Sequence, residues 1–155
     1  MATPKIQVGR ALAVIPSDYA QIPFPAPSAS GVNTSATGSI LTDGAATFIT
    51  DNVATGDIVY NTVDGSAATV VKVVSQTELE LNDVIFLTPG KSYVVYAGGN
   101  NQGCVLYIGT AGALDVVTAG GDTVTFAAVL AGQFLPVQVV QVKASSSASN
   151  IVALW

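Results

Sequence analysis

Histidine does not occur in this sequence of 155 residues, and cysteine occurs once, as Cys104. The missing histidine excludes histidine general-base catalysis and the Ser-His-Asp triad, and it removes the ligand that most zinc and transition-metal sites use. A single cysteine cannot form a disulfide within the chain. Because Cys104 has no histidine partner, we expect it to be a small buried thiol rather than a nucleophile.

Charge is also scarce. Charged residues make up 10% of the chain, against about 25% in an average globular domain. The formal net charge is −5, and the five basic residues are scattered: Lys5, Arg10, Lys72, Lys91 and Lys143. Phosphate binding needs clustered Lys and Arg, so this distribution argues against nucleic acid as a direct partner.

Long apolar runs are absent as well. No stretch approaches the roughly eighteen apolar residues of a membrane-spanning helix, so we expect no membrane partner. The apolar run 11–15 follows Lys5 and Arg10 but is too short for the core of a secretory signal. We therefore expect the protein to be made in a reducing cytoplasm, or to work in an assembly built there.

The residues that are present predict an all-β fold. Val, Thr, Gly and Ala dominate, charged helix formers are few, and short β-branched segments alternate with turn residues. The clearest strands are expected at 58–62, 67–74 and 78–81, with a tight hairpin at Asp64–Gly65. Another strand is expected to run from the Asp43–Gly44 turn through Phe48. Roughly ten short strands fit a compact antiparallel sandwich or barrel.

The first 37 residues have a different composition. Residues 6–14 show a strand-like alternation interrupted by Gly9, and prolines follow at positions 16, 23, 25 and 27. These prolines favour an extended, polyproline-like backbone and disfavour a central strand. Residues 28–38 have the composition of a flexible loop. The sequence therefore predicts an N-terminal strand and extended Pro-rich arm at 1–37, followed by a β domain at 38–155.

The chain ends in NIVALW, which contains its only tryptophan. Ile151, Ala153 and Trp155 share one face of a strand by the period of two. Trp155 either caps the end of the core or is an exposed interface anchor, a role in which tryptophan is enriched.

No catalytic or metal-binding arrangement is evident among the acidic residues. Glu78 and Glu80 alternate with leucines in TELEL, as on a half-exposed strand. Asp43, Asp64 and Asp122 lie beside glycines and are interpreted as turn residues. Neither a calcium-loop spacing nor a phosphate-binding glycine motif occurs, so we predict no cofactor and no enzymatic activity. The carboxylates are Asp18, Asp43, Asp51, Asp57, Asp64, Glu78, Glu80, Asp83, Asp115 and Asp122.

Several stretches carry a resemblance: VGRALAVIPSDYAQIPFP, GDIVYNT, LYIGTAGALDVVTAGGDTVTF, FLPVQVVQV and NIVALW. Together they resemble small virion structural proteins of tailed bacteriophages, notably cyanophages, some of which are similar to capsid decoration (cement) proteins. The resemblance covers most of the chain. It implies a component of the virion and does not say which one. Our first hypothesis is a decoration protein, which we expect on the outer capsid surface, assembled in the host cytoplasm and bound to the major capsid protein. Decoration proteins of this kind are often trimers in which an arm or loop staples adjacent capsid subunits, so we expect a homo-oligomer.

The arm supplies the predicted contact with the capsid. Aromatic and apolar residues between its prolines gain little as a free loop, so we expect them either to touch a partner or to fold back on their own domain. Trp155 is the second candidate contact. The arm residues in question are Tyr19, Ile22, Pro23, Phe24 and Pro25.

Two other functions fit the same composition. The chain could be a head fibre, tail or baseplate component, which its position in the particle would decide. It could also be a carbohydrate-binding β module, for which exposed aromatic side chains would have to form a platform. The tyrosines available for such a platform are Tyr60, Tyr93, Tyr96 and Tyr107.

Overall fold

The computed structural model describes residues 8–155, and within that range the protein is all-β, with thirteen strands in two antiparallel sheets packed as a sandwich. The predicted fold class is confirmed. The strand number exceeds the expected ten because several edge and closing strands are only three residues long. No helix among these residues is long and apolar enough to cross a membrane. Lys5 and the predicted strand position Ile6 lie outside the described residues.

The six-stranded sheet is built from both ends of the described chain. Its order is β1-β13-β9-β12-β10-β11. The strands are β1 (Ala11–Ala13), β9 (Cys104–Tyr107), β10 (Gly112–Thr118), β11 (Thr123–Val129), β12 (Phe134–Val142) and β13 (Val152–Leu154).

The middle of the chain forms the seven-stranded sheet. Its order is β2-β8-β5-β6-β7-β4-β3. The strands are β2 (Pro27–Val32), β3 (Ser35–Thr37), β4 (Ile40–Thr42), β5 (Ile58–Asn61), β6 (Ser66–Val73), β7 (Glu78–Leu81) and β8 (Ser92–Tyr96).

The seven-stranded sheet curls so that its two edges meet at one corner. β2 and β3 are its opposite edges, yet only Asn33 and Thr34 separate them. In a flat sheet, six spacings of about 4.8 Å would hold the edges roughly 29 Å apart. Three Cα steps span at most about 11 Å. The sheet must therefore bend round on itself, with the Asn33 corner joining its edges.

Alternation along the strands separates the buried clusters. Val59, Val70 and Leu79 point into the curled sheet, where Phe48 and Phe86 close the core. Side chains of the opposite face, including Ile58, Tyr60, Ala67 and Tyr96, pack with Leu12, Ile15 and Ala20 between the sheets. The third cluster lies on the inner face of the six-stranded sheet and includes Leu106, Leu114, Val139 and Ile22.

The central strands agree with the sequence. β5, β6 and β7 fall within one residue of their predicted bounds at each end. Gly65 has a φ of +69° at the predicted hairpin, where the left-handed region favours glycine. In β7, Leu79 and Leu81 are buried while Glu78 and Glu80 are half-exposed, as the alternation predicts.

Two local predictions are wrong. Residues 28–38 are not a flexible loop: they contain most of β2 and all of β3, which are edge strands that pair with β8 and β4. Pro27 is the first residue of β2, a position that costs no ladder hydrogen bond. Phe48 lies in a turn instead of a strand, fully buried as a plug of the core. The division into an arm at 1–37 and a β domain at 38–155 stays a prediction.

Candidate functional site

The five arm residues predicted to contact a partner lie in different environments. Ile22 and Pro23 are buried against their own chain, and Phe24 and Pro25 are half-buried. Tyr19 is 51% exposed and is the most accessible of the five. The structure therefore brings Ile22 and Pro23 into the fold and leaves only Tyr19 largely free for contact with another molecule.

Hydrogen bonds attach the arm to both sheets. The Ser17 backbone N–H donates to Val142 O at 2.9 Å in the six-stranded sheet, and the Ser17 hydroxyl donates to Ala67 O at 2.9 Å in the seven-stranded sheet. Ile22 N donates to Val140 O at 2.8 Å. Ser17 and Ile22 therefore hold this part of the arm in the interface between the two sheets.

Trp155 forms a small aromatic cluster with Phe24 of the arm. Its ring meets Phe24 edge-on, with centroids 5.6 Å apart, and Arg10 lies over Phe24 at 5.5 Å. The indole N–H donates to Asn101 Oδ1 at 3.3 Å, while Asn101 Nδ2 donates to Ile22 O at 2.8 Å. Trp155 is half-buried and packs against the core of the six-stranded sheet. Of its two predicted roles, this placement corresponds to the core cap.

The outer face of the six-stranded sheet is apolar along β13, β9 and β12. Phe134 is 58% exposed and its ring lies 5.4 Å from that of Tyr107. A shallow depression of about 380 Å³ lies beside them. We call this surface the apolar face, and its residues are Val8, Val105, Tyr107, Phe134, Pro136 and Leu154.

Sequence reasoning missed the apolar face, although a signal for it is present. β9 (CVLY) and the β13 segment (VAL) are apolar at every position, unlike β7, in which leucine alternates with glutamate. Strands apolar on both faces are typical of sheets covered on both sides. Within residues 8–155, Phe134 and Pro136 on the outer side are nevertheless exposed.

A second concave surface lies where the curled sheet opens. We call it the groove, and its volume is about 450 Å³. Residues 29–32 of β2 form one wall, residues 45–47 with Asp51 form the other, and Asp43 and Tyr93 lie at its floor. From the sequence, Asp43 was interpreted only as a turn residue. The groove arises where two chain segments diverge, and this divergence leaves no local pattern in the sequence.

The floor of the groove is a hydrogen-bonded pair. The Tyr93 hydroxyl donates to Asp43 Oδ2 at 2.7 Å, and Ala45 N donates to Asp43 Oδ1 at 2.9 Å. Asp43 is 4% exposed. Burial, reinforced by the Asp43 carboxylate, raises the pKa of Tyr93 far above its usual value. The phenol is therefore a fixed hydrogen-bond donor and not an acid–base group near neutral pH.

The other chemistry-bearing residues are dispersed. Cys104 is buried, and its burial raises the pKa of the thiol to about 12. Tyr60, Tyr93 and Tyr96 are also buried, which removes three of the four side chains that motivated the carbohydrate platform. Among residues 8–155, no group of three or more acidic or cysteine side chains is close enough together to hold a metal ion.

Comparison of the chain with protein-family models, with curated proteins and with solved structures finds no match.

Proposed function

We propose that this protein is a non-catalytic structural component of a tailed-phage particle, a capsid decoration protein that binds the outer head surface and stabilises contacts between major capsid subunits. The resemblance of its sequence segments supports the phage assignment. The low charge supports a role in a crowded assembly, because a neutral surface costs little free energy to desolvate.

The structural observation that carries the proposal is the apolar face. Phe134, Tyr107 and Leu154 form a continuous uncharged surface over three neighbouring strands. Contiguous apolar patches of this kind mark interaction sites, and aromatic side chains at their centre contribute most of the binding free energy. The partner contact therefore lies on the apolar face, with Tyr19 as the accessible arm residue, instead of on the buried Ile22 and Pro23.

The homo-oligomer belongs to the same proposal. Copies that each carry a net charge of −5 repel one another, and a contact through an uncharged, apolar surface adds the least repulsion and the most favourable burial. The apolar face is such a surface, so it is available either to a second copy or to the capsid. Mass measurement in solution separates these uses, since a trimer formed without capsid would occupy part of the face.

Sedimentation of the tagged protein with phage heads purified from the source culture tests the proposal. We expect Phe134→Ser to weaken binding by about tenfold or more, because an exposed aromatic anchor is lost. Leu87→Ser is the matched control. Leu87 is 79% exposed, lies in the loop between β7 and β8 of the seven-stranded sheet, and does not line the apolar face. Equal binding of both variants and the wild type, or no sedimentation of the wild type with heads, would contradict the proposal.

A further inference from the structure

We propose that the groove binds an extended peptide segment of a partner protein, which adds as a strand along β2 and places a lysine or arginine side chain at Asp51, above the buried Asp43. This site is separate from the apolar face. It does not depend on where the protein lies in a particle, so it goes beyond the proposed function.

The edge of β2 that faces away from β8 has backbone groups that are unpaired within residues 8–155. Asn33 N donates to Lys91 O at 3.0 Å, and the β2–β8 register pairs Gly31 with Tyr93 and Ala29 with Val95. In an antiparallel ladder, every second residue exchanges hydrogen bonds with the same neighbour. The backbone groups of Gly31 and Ala29 therefore face β8, and those of Ser30 and Val32 point the other way, into the groove. An edge of this kind is a template for an added strand.

The space beside this edge is large enough for an extended peptide. Thr34 N still donates to Thr42 O at 2.7 Å in the β3–β4 hairpin. Beyond this point the two segments diverge, and residues 29–32 and 45–47 become opposite walls of the 450 Å³ cavity. Four strand residues span roughly 13 Å. The cavity is thus of a size suited to a few residues of extended chain and lies alongside the unpaired backbone groups.

The negative charge of the groove favours a basic side chain in the bound peptide. Of the described residues that line the groove, two are aspartates and none is lysine or arginine. Asp43 accepts hydrogen bonds from Tyr93 and Ala45, and Asp51 Oδ2 accepts one from the Thr47 hydroxyl at 2.9 Å. A carboxylate has about four acceptor positions, so the half-exposed Asp51 keeps capacity for another donor, and the buried Asp43 adds negative charge beneath it. A cationic side chain supplies donors and compensates the negative charge.

The floor of the groove is rigid before any ligand arrives. A Cβ atom at Gly31 would collide with the Asp43 carboxylate and the Tyr93 hydroxyl, so only glycine permits this approach of β2. The Asp43 side chain is held by donors on both oxygens. A preformed site of this kind loses little conformational entropy on binding.

Selection from a random heptapeptide library displayed on phage, followed by binding measurements with the enriched synthetic peptides, tests the inference. We expect enriched peptides to carry one Lys or Arg among β-branched residues. In amide NMR spectra of the full chain, the shifts should concentrate at residues 29–32 and 45–47. Replacing the basic residue by glutamate should weaken binding by about tenfold or more.

Three variants complete the test. Ser30→Pro removes an N–H that faces the groove while leaving the ladder to β8, and it should abolish binding. Asp51→Asn should weaken binding several-fold, and Asp122→Asn, which removes one carboxylate from an exposed hairpin of the other sheet, should leave it unchanged. No enrichment, peptides without a basic residue, or equal binding by Ser30→Pro and the wild type would overturn the inference. Shifts at the same amides with calcium chloride alone, and none with peptide, would also overturn it.

Discussion

The environment of Cys104 determines the reactivity of its thiol. The sequence predicted a buried thiol, and the side chain is 2% exposed with its Sγ atom 3.1 Å from Val139 O. Burial disfavours the thiolate, which is why the pKa of Cys104 rises to about 12. The thiol is therefore a packing group of the six-stranded sheet's core.

Native Cys104 should react very slowly with a disulfide reagent. At pH 8 a thiol with a pKa of about 12 is roughly 10⁻⁴ thiolate, against about a quarter for an unperturbed cysteine. We expect the reaction with Ellman's reagent to be more than about 100-fold slower in the folded protein than in urea. Rates within tenfold of each other would mean that the thiol is accessible and less perturbed than the structure indicates.

The carboxylate of Asp115 makes the stability of the protein depend on pH. Its carboxylate accepts hydrogen bonds from the hydroxyls of Ser145 and Thr125, both at 2.6 Å, and these lower its pKa. A carboxylate with a lowered folded-state pKa contributes stability above its unfolded pKa of about 4 and loses it as the pH falls through the folded value.

Asp115→Asn should therefore destabilise the protein at pH 7 and have a smaller effect in acid. The measurement is the urea midpoint of the variant and the wild type at pH 7 and at progressively lower pH. The difference between them should shrink below about pH 4. A difference that does not change with pH would show that the variant's effect comes from lost packing and not from the ionised carboxylate.

At the scale of elements, the arm and the last strand hold one another. β1 pairs with β13, and Trp155 packs on Phe24 of the arm. Chain ends usually fray unless they are held in a sheet. Here the C-terminal strand lies between β1 and β9, so the terminal tryptophan is fixed in place as the closing side chain of a core.

Replacing Trp155 should cost stability and loosen the arm. A buried Trp→Ala change costs about 3–5 kcal/mol, so for this half-buried side chain we expect about 2 kcal/mol of unfolding free energy. Limited proteolysis of Trp155→Ala should also cut faster within residues 17–26. Phe134→Ala is the matched control, because Phe134 is an exposed aromatic in the same sheet, and it should cost less than about 1 kcal/mol. Equal costs for the two variants would contradict the role of Trp155 as a core cap.

Asn33 closes the curled sheet at its corner. Its Nδ2 donates to Ser35 O at 3.1 Å and Thr88 O at 3.0 Å, and its Oδ1 accepts from Lys91 N at 2.7 Å. The side chain is 1% exposed. Three partly buried backbone groups, the carbonyls of Ser35 and Thr88 and the N–H of Lys91, would lose their partner if Asn33 were removed.

Asn33→Ala should therefore destabilise the protein by about 3 kcal/mol, because three hydrogen bonds that contribute about 1 kcal/mol each are lost. Urea unfolding followed by Trp155 fluorescence measures the change. Asn100→Ala, at an exposed position, should shift the unfolding free energy by no more than about 0.5 kcal/mol. An Asn33→Ala cost as small as that of the control would mean that the corner is held by the backbone alone.

The sequence predicted those elements whose signals are local. β5, β6 and β7 carry alternation and a glycine turn, and they form as expected. β2 was missed because PSASGV has almost no β-branched or large apolar residue, and it becomes a strand only because β8 pairs with it. The groove and the apolar face depend on which strands become neighbours, and that information is distributed over the whole chain.

At the scale of the whole molecule, the two ends of the described chain, residues 8–155, build one sheet and its middle builds the other. The arm connects them and contributes hydrogen bonds to both. Removing the arm would therefore take away β1 and the buried Ile22 together, so point substitutions at exposed residues are the sharper probes of a partner contact. Phe134 and Tyr19 are the positions at which such probes leave the fold intact.

We propose that the protein covers the outer surface of a phage head. Quantitative mass spectrometry of purified particles, combined with a cryo-EM map, is the decisive test of this proposal. We predict copy numbers comparable to those of the major capsid protein, with density over the whole shell and the apolar face against a protein surface. Absence from particles, or density only at the tail or at one vertex, would contradict the claim.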